Sequence, residues 1–192
     1  MATTMRADAL RNRQRILDAA REAFTEHGAE AQMDDIARRA GVGVGTLYRH
    51  FTTKEMLVGE LLHVKLSEFA EQVRRNFAEE GSDPWAAFEG GLRGQADVMA
   101  RDAAHQRMPF VATPEAMERA EPAVRALRAA WGPVIERAKE AGVLRRDFEV
   151  DDIRTFMCGL GSMMGADACG AMSYDWRRQL DLFLDGVRIS RS

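Results

Sequence analysis

Apolar positions recur at helical spacing along most of the chain. Ile16, Leu17, Ala20, Ala23 and Phe24 make the first stripe, which predicts a helix from about Ala9 to His27, ended by Gly28. Two shorter stripes follow between Met33 and Phe51: Ile36, Ala37 and Ala40, then Leu47 and Phe51. Gly41 separates them, because glycine accepts the left-handed backbone that ends a helix at little steric cost. Val42 is the apolar plug expected where two helices meet steeply, as in a helix-turn-helix. Thr52 and Glu55 have the spacing of a capping box, and Leu57, Leu61, Val64, Phe69, Val73 and Phe77 carry a long helix to about Asn76.

The stretch EEGSDP, from Glu79 to Pro84, is the clearest boundary, with Asp83 suited to a helix cap and Pro84 to a first turn. Trp85, Phe88, Leu92 and Met99 predict a helix from about Pro84 to Ala103. Gly90, Gly91 and Gly94 weaken it by about 1 kcal/mol each against alanine, and are expected to admit close packing or form a pocket wall. Pro109 and Pro114 break residues 105–114 into a short helix and a loop. Helix resumes near Pro122, kinks at Pro133 and stops at Gly142. Asp151 is the expected cap of a helix from Asp152 to Cys169, striped by Ile153, Phe156, Met157, Leu160 and Met164. Ser173 is the expected cap of the last helix, where Trp176, Leu180, Phe183, Leu184 and Val187 recur. The pattern predicts an all-α fold.

Charge changes the picture locally rather than globally. A net charge of −3 announces no nucleic-acid partner, so any DNA affinity must come from local placement. One place supplies it: Gly41 to Lys54 contains no acid, but carries Arg49, His50 and Lys54 with the hydroxyls of Thr46 and Tyr48. A short helix with such a face suits phosphates and base edges. Lys54 and the amides opening the next helix form a phosphate clamp. Residues 1–8 are expected to be a mobile arm, and Arg6, Arg11, Arg13 and Arg15 cluster there and just beyond it against a single acid, Asp8. A solvated helix start and an arm on the DNA backbone or minor groove both fit that cluster.

Other chemistries fail on spacing. Gly41, Gly43 and Gly45 suggest a phosphate loop, but that needs a buried strand before it, and DDIARR is no strand. His27, His50, His63 and His105 have no metal-ligand spacing, and no nucleophile motif occurs, so neither an enzyme nor a cofactor is expected. Cys158 and Cys169 lie roughly 16 Å apart along one helix, too far for a disulfide, and are expected to be buried thiols. No apolar run is long enough for a membrane span, and the N-terminus lacks an apolar signal region, which predicts a cytoplasmic chain with no membrane partner.

The order of DDIARRAGV, GTLYRHF and TKE-x-L after a helix and Gly28 closely resembles the TetR family of bacterial transcriptional regulators, over residues 9–62. The resemblance implies a helix-turn-helix DNA-binding domain at 1–53, a connecting helix over 54–78, and a helical ligand-binding and dimerisation domain at 79–192. It implies that Thr46, Tyr48, His50 and Lys54 contact phosphates, while Val44, Gly45 and Arg49 face base edges. Three positions depart from the family pattern. Gln32 and Gly43 stand where many relatives place Ser or Thr before the two short helices, which weakens both caps. Val44 replaces a polar side chain and offers only apolar contact, so base readout leans on Arg49.

Seven of the eleven methionines lie at or after Met99. Met99, Phe110, Trp131, Met157 and Met164 are therefore candidate lining for an adaptable apolar pocket, against the plain alternative that they are core. The last two helices are candidates for a two-fold four-helix joint through Phe156, Gly161, Gly165, Trp176, Leu180, Phe183 and Val187. The expectation is a homodimeric regulator, in the repressor sense, that releases a palindromic double-stranded DNA operator when an unknown small-molecule effector binds. The alternative is a helical ligand-binding or scaffold protein without specific operator recognition.

Overall fold

The computed structural model describes residues 2–79, 83–102, 113–164 and 175–189, with the backbone alone at 2–6, 78 and 79. The fold is all-α. Among the described residues the helices are α1 (Ala2–His27), α2 (Met33–Arg39), α3 (Val44–His50), α4 (Lys54–Glu79), α5 (Pro84–Arg101), α6 (Pro114–Glu140), α7 (Val150–Met164) and α8 (Trp176–Val187). A 3₁₀ turn, Gly28–Glu30, follows α1.

The chain forms two compact units, Met1–Val64 with Ala103–Glu121, and Lys65–Asp102 with Pro122–Ser192. The first is larger than the expected head, because it takes in the start of α4 and the start of α6. Its core is built from Ile16, Leu17, Ala20 and Phe24 of α1, Ile36 and Ala37 of α2, Leu47 of α3, and Leu57 and Leu61 of α4. The second unit has its own core, centred on Phe88, Leu92, Trp131, Leu144, Phe148 and Leu180. Phe88 meets Trp131 and Phe148 edge-on, at ring-centroid distances of 5.9 and 5.4 Å. The loop after α6 and the chain beyond α8 pair at one antiparallel bridge, Leu144 with Arg188.

Several boundaries differ from the sequence-based expectation. Helix α1 begins at Ala2, so the segment expected to be an arm is helical. The cap of α4 is Thr53 rather than Thr52: its Oγ1 accepts from the amide of Met56 at 3.1 Å. Helix α6 begins at Pro114, eight residues before the expected start at Pro122. Thr113 caps it, its hydroxyl accepting from the Ala116 amide at 3.3 Å, and buried Ala116, Ala120 and Ala123 hold the helix through Pro122. Helix α7 begins at Val150, where the Asp152 carboxylate reaches back to the Glu149 amide at 2.7 Å, so Asp152 and not Asp151 secures that end. Asp175 caps α8, accepting from the amides of Arg177 and Arg178 at 3.1 and 3.2 Å. Asp83 caps α5 as expected, accepting from Trp85 and Ala86 at 2.9 and 3.2 Å. Cys158 is exposed rather than buried. Gly165, Cys169, Ser173, Phe110 and most of 105–114 lie outside the described residues.

Candidate nucleic-acid interface

The turn between α2 and α3 is fixed by its backbone. Gly41 has φ +61°, and the amides of Gly41 and Val42 close onto the carbonyls of Arg38 and Ala37 at 3.1 and 3.0 Å. This is the paired closure that satisfies the last carbonyls of a helix. Any side chain at Gly41 is strained by that φ, and its Cβ would stand 2.4 Å from Arg15 Nη2. Arg15 instead donates to the Gly41 carbonyl at 3.2 Å, tying α1 to the turn. Asp34 and Asp35 open α2 and Arg38 and Arg39 close it, each pair at the helix end whose partial charge it opposes. Arg39 bridges two acids, Glu26 on α1 at 2.6 Å and Asp35 at 2.7 Å. Its hydrogen bond holds the Glu26 carboxyl below the ordinary range, Arg38 and then Arg39 do the same for Asp35, and Glu26 and Asp35 together raise the Arg39 guanidinium further.

On α3 the inward side is Leu47, fully buried, with Phe51 just past the helix end. The opposite side carries Val44, Gly45, Tyr48 and Arg49, all exposed, spaced three and four apart so that they form one patch. Val44 and Tyr48 are each 42% exposed, unusual for an apolar and an aromatic side chain. Thr46 and His50 flank the patch, half-buried. Arg49 folds back on its own helix: Nε donates to the Gly45 carbonyl at 3.2 Å and Nη2 to Thr46 Oγ1 at 2.9 Å. Neither Gln32 nor Gly43 makes a side-chain cap bond, as their chemistry predicts.

The remaining cations divide between surface and interior. Arg11 pairs with Asp8 on the exposed side of α1. The side chain of Arg6 lies outside the described residues. Arg13 turns inward, 5.9 Å from the Phe51 ring centroid, and pairs with Glu60. Lys54 stands at the start of α4, donates to the Ala29 carbonyl and lies 5.8 Å from the Phe24 ring centroid. It therefore fastens the turn after α1.

Sequence reasoning missed the residue at the centre of this unit. Glu60 is 2% exposed and holds both Arg13 of α1 and Arg119 of α6. Burial alone would push its carboxyl up, but hydrogen bonds from Arg13 and Arg119 outweigh that and hold it below the ordinary range. The available signal was an acid between Leu57 and Leu61 on an otherwise apolar face.

In the second unit, Met99, Trp131 and Met157 are buried in one core, with Met164 partly buried against it. Of the residues expected at a joint between copies, Leu180, Val187 and Gly161 are buried within the subunit. Trp176, Phe156 and Phe183 are partly buried, the last two stacked at 3.9 Å. Leu182 and Met163 are the large apolar residues left exposed on α8 and α7. Among the described residues no His, Cys, Asp and Glu group could hold a metal, and no helix is long and apolar enough to cross a membrane.

Comparison with known proteins places this geometry. Residues 16–61 match the model described as bacterial regulatory proteins, tetR family, which spans α1 to the start of α4. An HTH-type transcriptional regulator of Staphylococcus aureus is 43% identical over 72 residues, which cover 37% of this chain and 39% of that protein. The chain thus matches well under half the length of that curated relative. Solved structures extend the likeness beyond the head. Thermus thermophilus FadR, a TetR family repressor solved with lauroyl-CoA, is 26% identical with a TM-score of 0.62, covering 94% of this chain and 97% of that one. The TetR transcription regulatory protein of Mycobacterium vanbaalenii is 30% identical with a TM-score of 0.59, covering 96% of this chain and 99% of that one. A likeness that begins in the helix-turn-helix and continues along nearly the whole of a solved member shows that this chain belongs to the TetR family of DNA-binding transcriptional regulators.

Proposed function

We propose that the chain acts in the cytoplasm as a homodimeric repressor, without catalysis. Two copies hold a palindromic operator and release it when a small, largely apolar molecule binds the C-terminal helical domain, residues 79–192. Residues 1–53 are the DNA-binding domain, joined by the helix over 54–78. The observation that carries the DNA reading is the exposed, acid-free patch on α3. Thr46, Tyr48, His50 and Lys54 meet phosphates there, and Val44, Gly45 and Arg49 face base edges. The apolar character of the effector is supported by Met99, Trp131, Met157 and Met164 sharing one core, and by the twelve-carbon acyl chain of the lauroyl-CoA bound to the Thermus relative. Operator and effector select different states of the protein, so each weakens the other.

A second reading, a ligand-binding or scaffold protein without operator recognition, is favoured by one observation: Arg49 is engaged by its own helix. Fluorescence anisotropy on the promoter fragment upstream of the chain's own gene separates the two. A repressor binds that fragment about a thousandfold or more tighter than a scrambled duplex at the same salt. Equal affinity for both duplexes establishes the second reading.

A further inference from the structure

The core of the second unit contains two polar atoms with unmet hydrogen-bonding capacity. Trp131, 1% exposed, has an indole Nε1–H with no acceptor, and Gln95, 5% exposed, has a side-chain Oε1 with no donor. Burying such groups unbonded is costly, and native proteins leave few. Both side chains are buried in this unit, Trp131 on α6 and Gln95 on α5. Trp131 of α6 meets α5 at Gly91, where an added Cβ would lie 2.7 Å from the indole Cη2. Gln95 is one helical turn beyond Gly91 on that face of α5, and Met99 is one turn further.

Charge narrows what fits. Among the described residues the buried charged side chains are Glu60 and Lys65; Glu60 belongs to the other unit, and Lys65 is paired with Asp102. A carboxylate or ammonium would find no free counter-charge in this core. From one lone donor, one lone acceptor and apolar surroundings, we infer that Trp131 and Gln95 form the head-group subsite of the effector, which is a neutral group that both accepts and donates a hydrogen bond on an apolar body. A primary amide is the simplest such group: its carbonyl accepts from the indole, and its N–H donates to Gln95. This rests on the reading that the C-terminal domain takes an effector.

Three probes with one chain length test it: octanamide, N,N-dimethyloctanamide, which accepts but cannot donate, and octanoate, which is charged. Thermal shift on the full chain should show octanamide raising the Tm. The other two should bind about tenfold or more weakly, as expected when a buried polar atom is left unpaired. Gln95→Met, nearly the same shape without the acceptor, should leave the Tm of the free protein unchanged or higher and lose about tenfold in octanamide affinity. Trp131→Phe should lose the same preference for the primary amide. No response of the parent to octanamide, equal response to all three probes, or a marked fall in Tm for Gln95→Met overturns the subsite. Operator anisotropy run alongside keeps the two readings apart. Octanamide binding that leaves operator affinity unchanged establishes the subsite and removes effector control of the operator.

Discussion

Glu60 shows how much one side chain holds in this protein. It is buried, charged, and shared by arginines from two other helices, so removing its charge leaves both without their partner. Glu60→Gln keeps the shape and should lower stability by about 1–3 kcal/mol, measured by urea denaturation near neutral pH. The folded-state pKa is depressed, so this contribution is fully present above the ordinary glutamate value, about 4.3, and is lost as pH falls through the lower folded value. The gap between parent and variant should therefore close in acid, and a pH-independent gap would show that the carboxylate charge is not what matters. Lys54 is held by contacts of a different kind. Its ammonium is engaged with the Ala29 carbonyl and the Phe24 ring, so Lys54→Ala should lower the Tm as well as DNA affinity. If Lys54 also reaches a phosphate, the variant's salt dependence flattens by about one unit of slope. A lower Tm with an unchanged slope would mean that Lys54 serves the fold alone.

At the scale of elements, the short helices are held more by packing than by their ends. Gln32 has the extended backbone of an N-cap, φ −102° and ψ 142°, without a cap bond. Gln32→Ser should add about 0.5–1 kcal/mol of stability by satisfying an open amide of α2, and no gain in the urea midpoint would mean that solvent already satisfies it. The N-terminal parts of α4 and α6 behave in the opposite way, since they meet with no room to spare at Gly59. A Cβ on Gly59 would stand 2.7 Å from the Ala116 carbonyl oxygen and 2.8 Å from Arg119 Cβ. Gly59→Ala should therefore destabilise by about 1–3 kcal/mol despite its better helix propensity. A stabilised variant would show that the two helices separate readily. Thr53 donating to Glu115 at 3.0 Å adds to the same contact.

The proposed repressor needs a second copy, because one short recognition helix reads too few base pairs for genomic specificity. The surface to test follows from which residues the subunit has already used. Leu180 and Val187 are closed into its own core, and Phe183 packs partly on Phe148 and Phe156, so altering them disturbs the fold itself. Leu182 is 53% exposed on the same helix and costs the subunit little to change. Leu182→Arg should yield a monomer of near-parental Tm that loses operator binding, checked by sedimentation and anisotropy. A variant that remains dimeric moves the joint off this face of α8.

The sequence by itself determined what short-range physics controls. Stripes at helical spacing located the helices, and Gly28, Gly41 and Gly142 ended them where the backbone does turn to positive φ, at 52°, 61° and 68°. The exposed face of α3 was legible because Leu47 and Phe51 fix which side turns inward. Only the tertiary structure decided where the charges go. Arg13, Arg15 and Lys54 read as DNA-facing or solvated cations, yet each finds a partner 25 or more residues away, at Glu60, Gly41 and Ala29. No local spacing encodes such a pairing. The same holds for the start of α6, which Pro122 argued against and the burial of Ala116 and Ala120 allowed, and for the choice of Thr53 over its equally suitable neighbour. Local patterns fix where a helix forms and which way it faces. Desolvation and distant partners fix which polar groups that face keeps for itself and which it leaves for DNA.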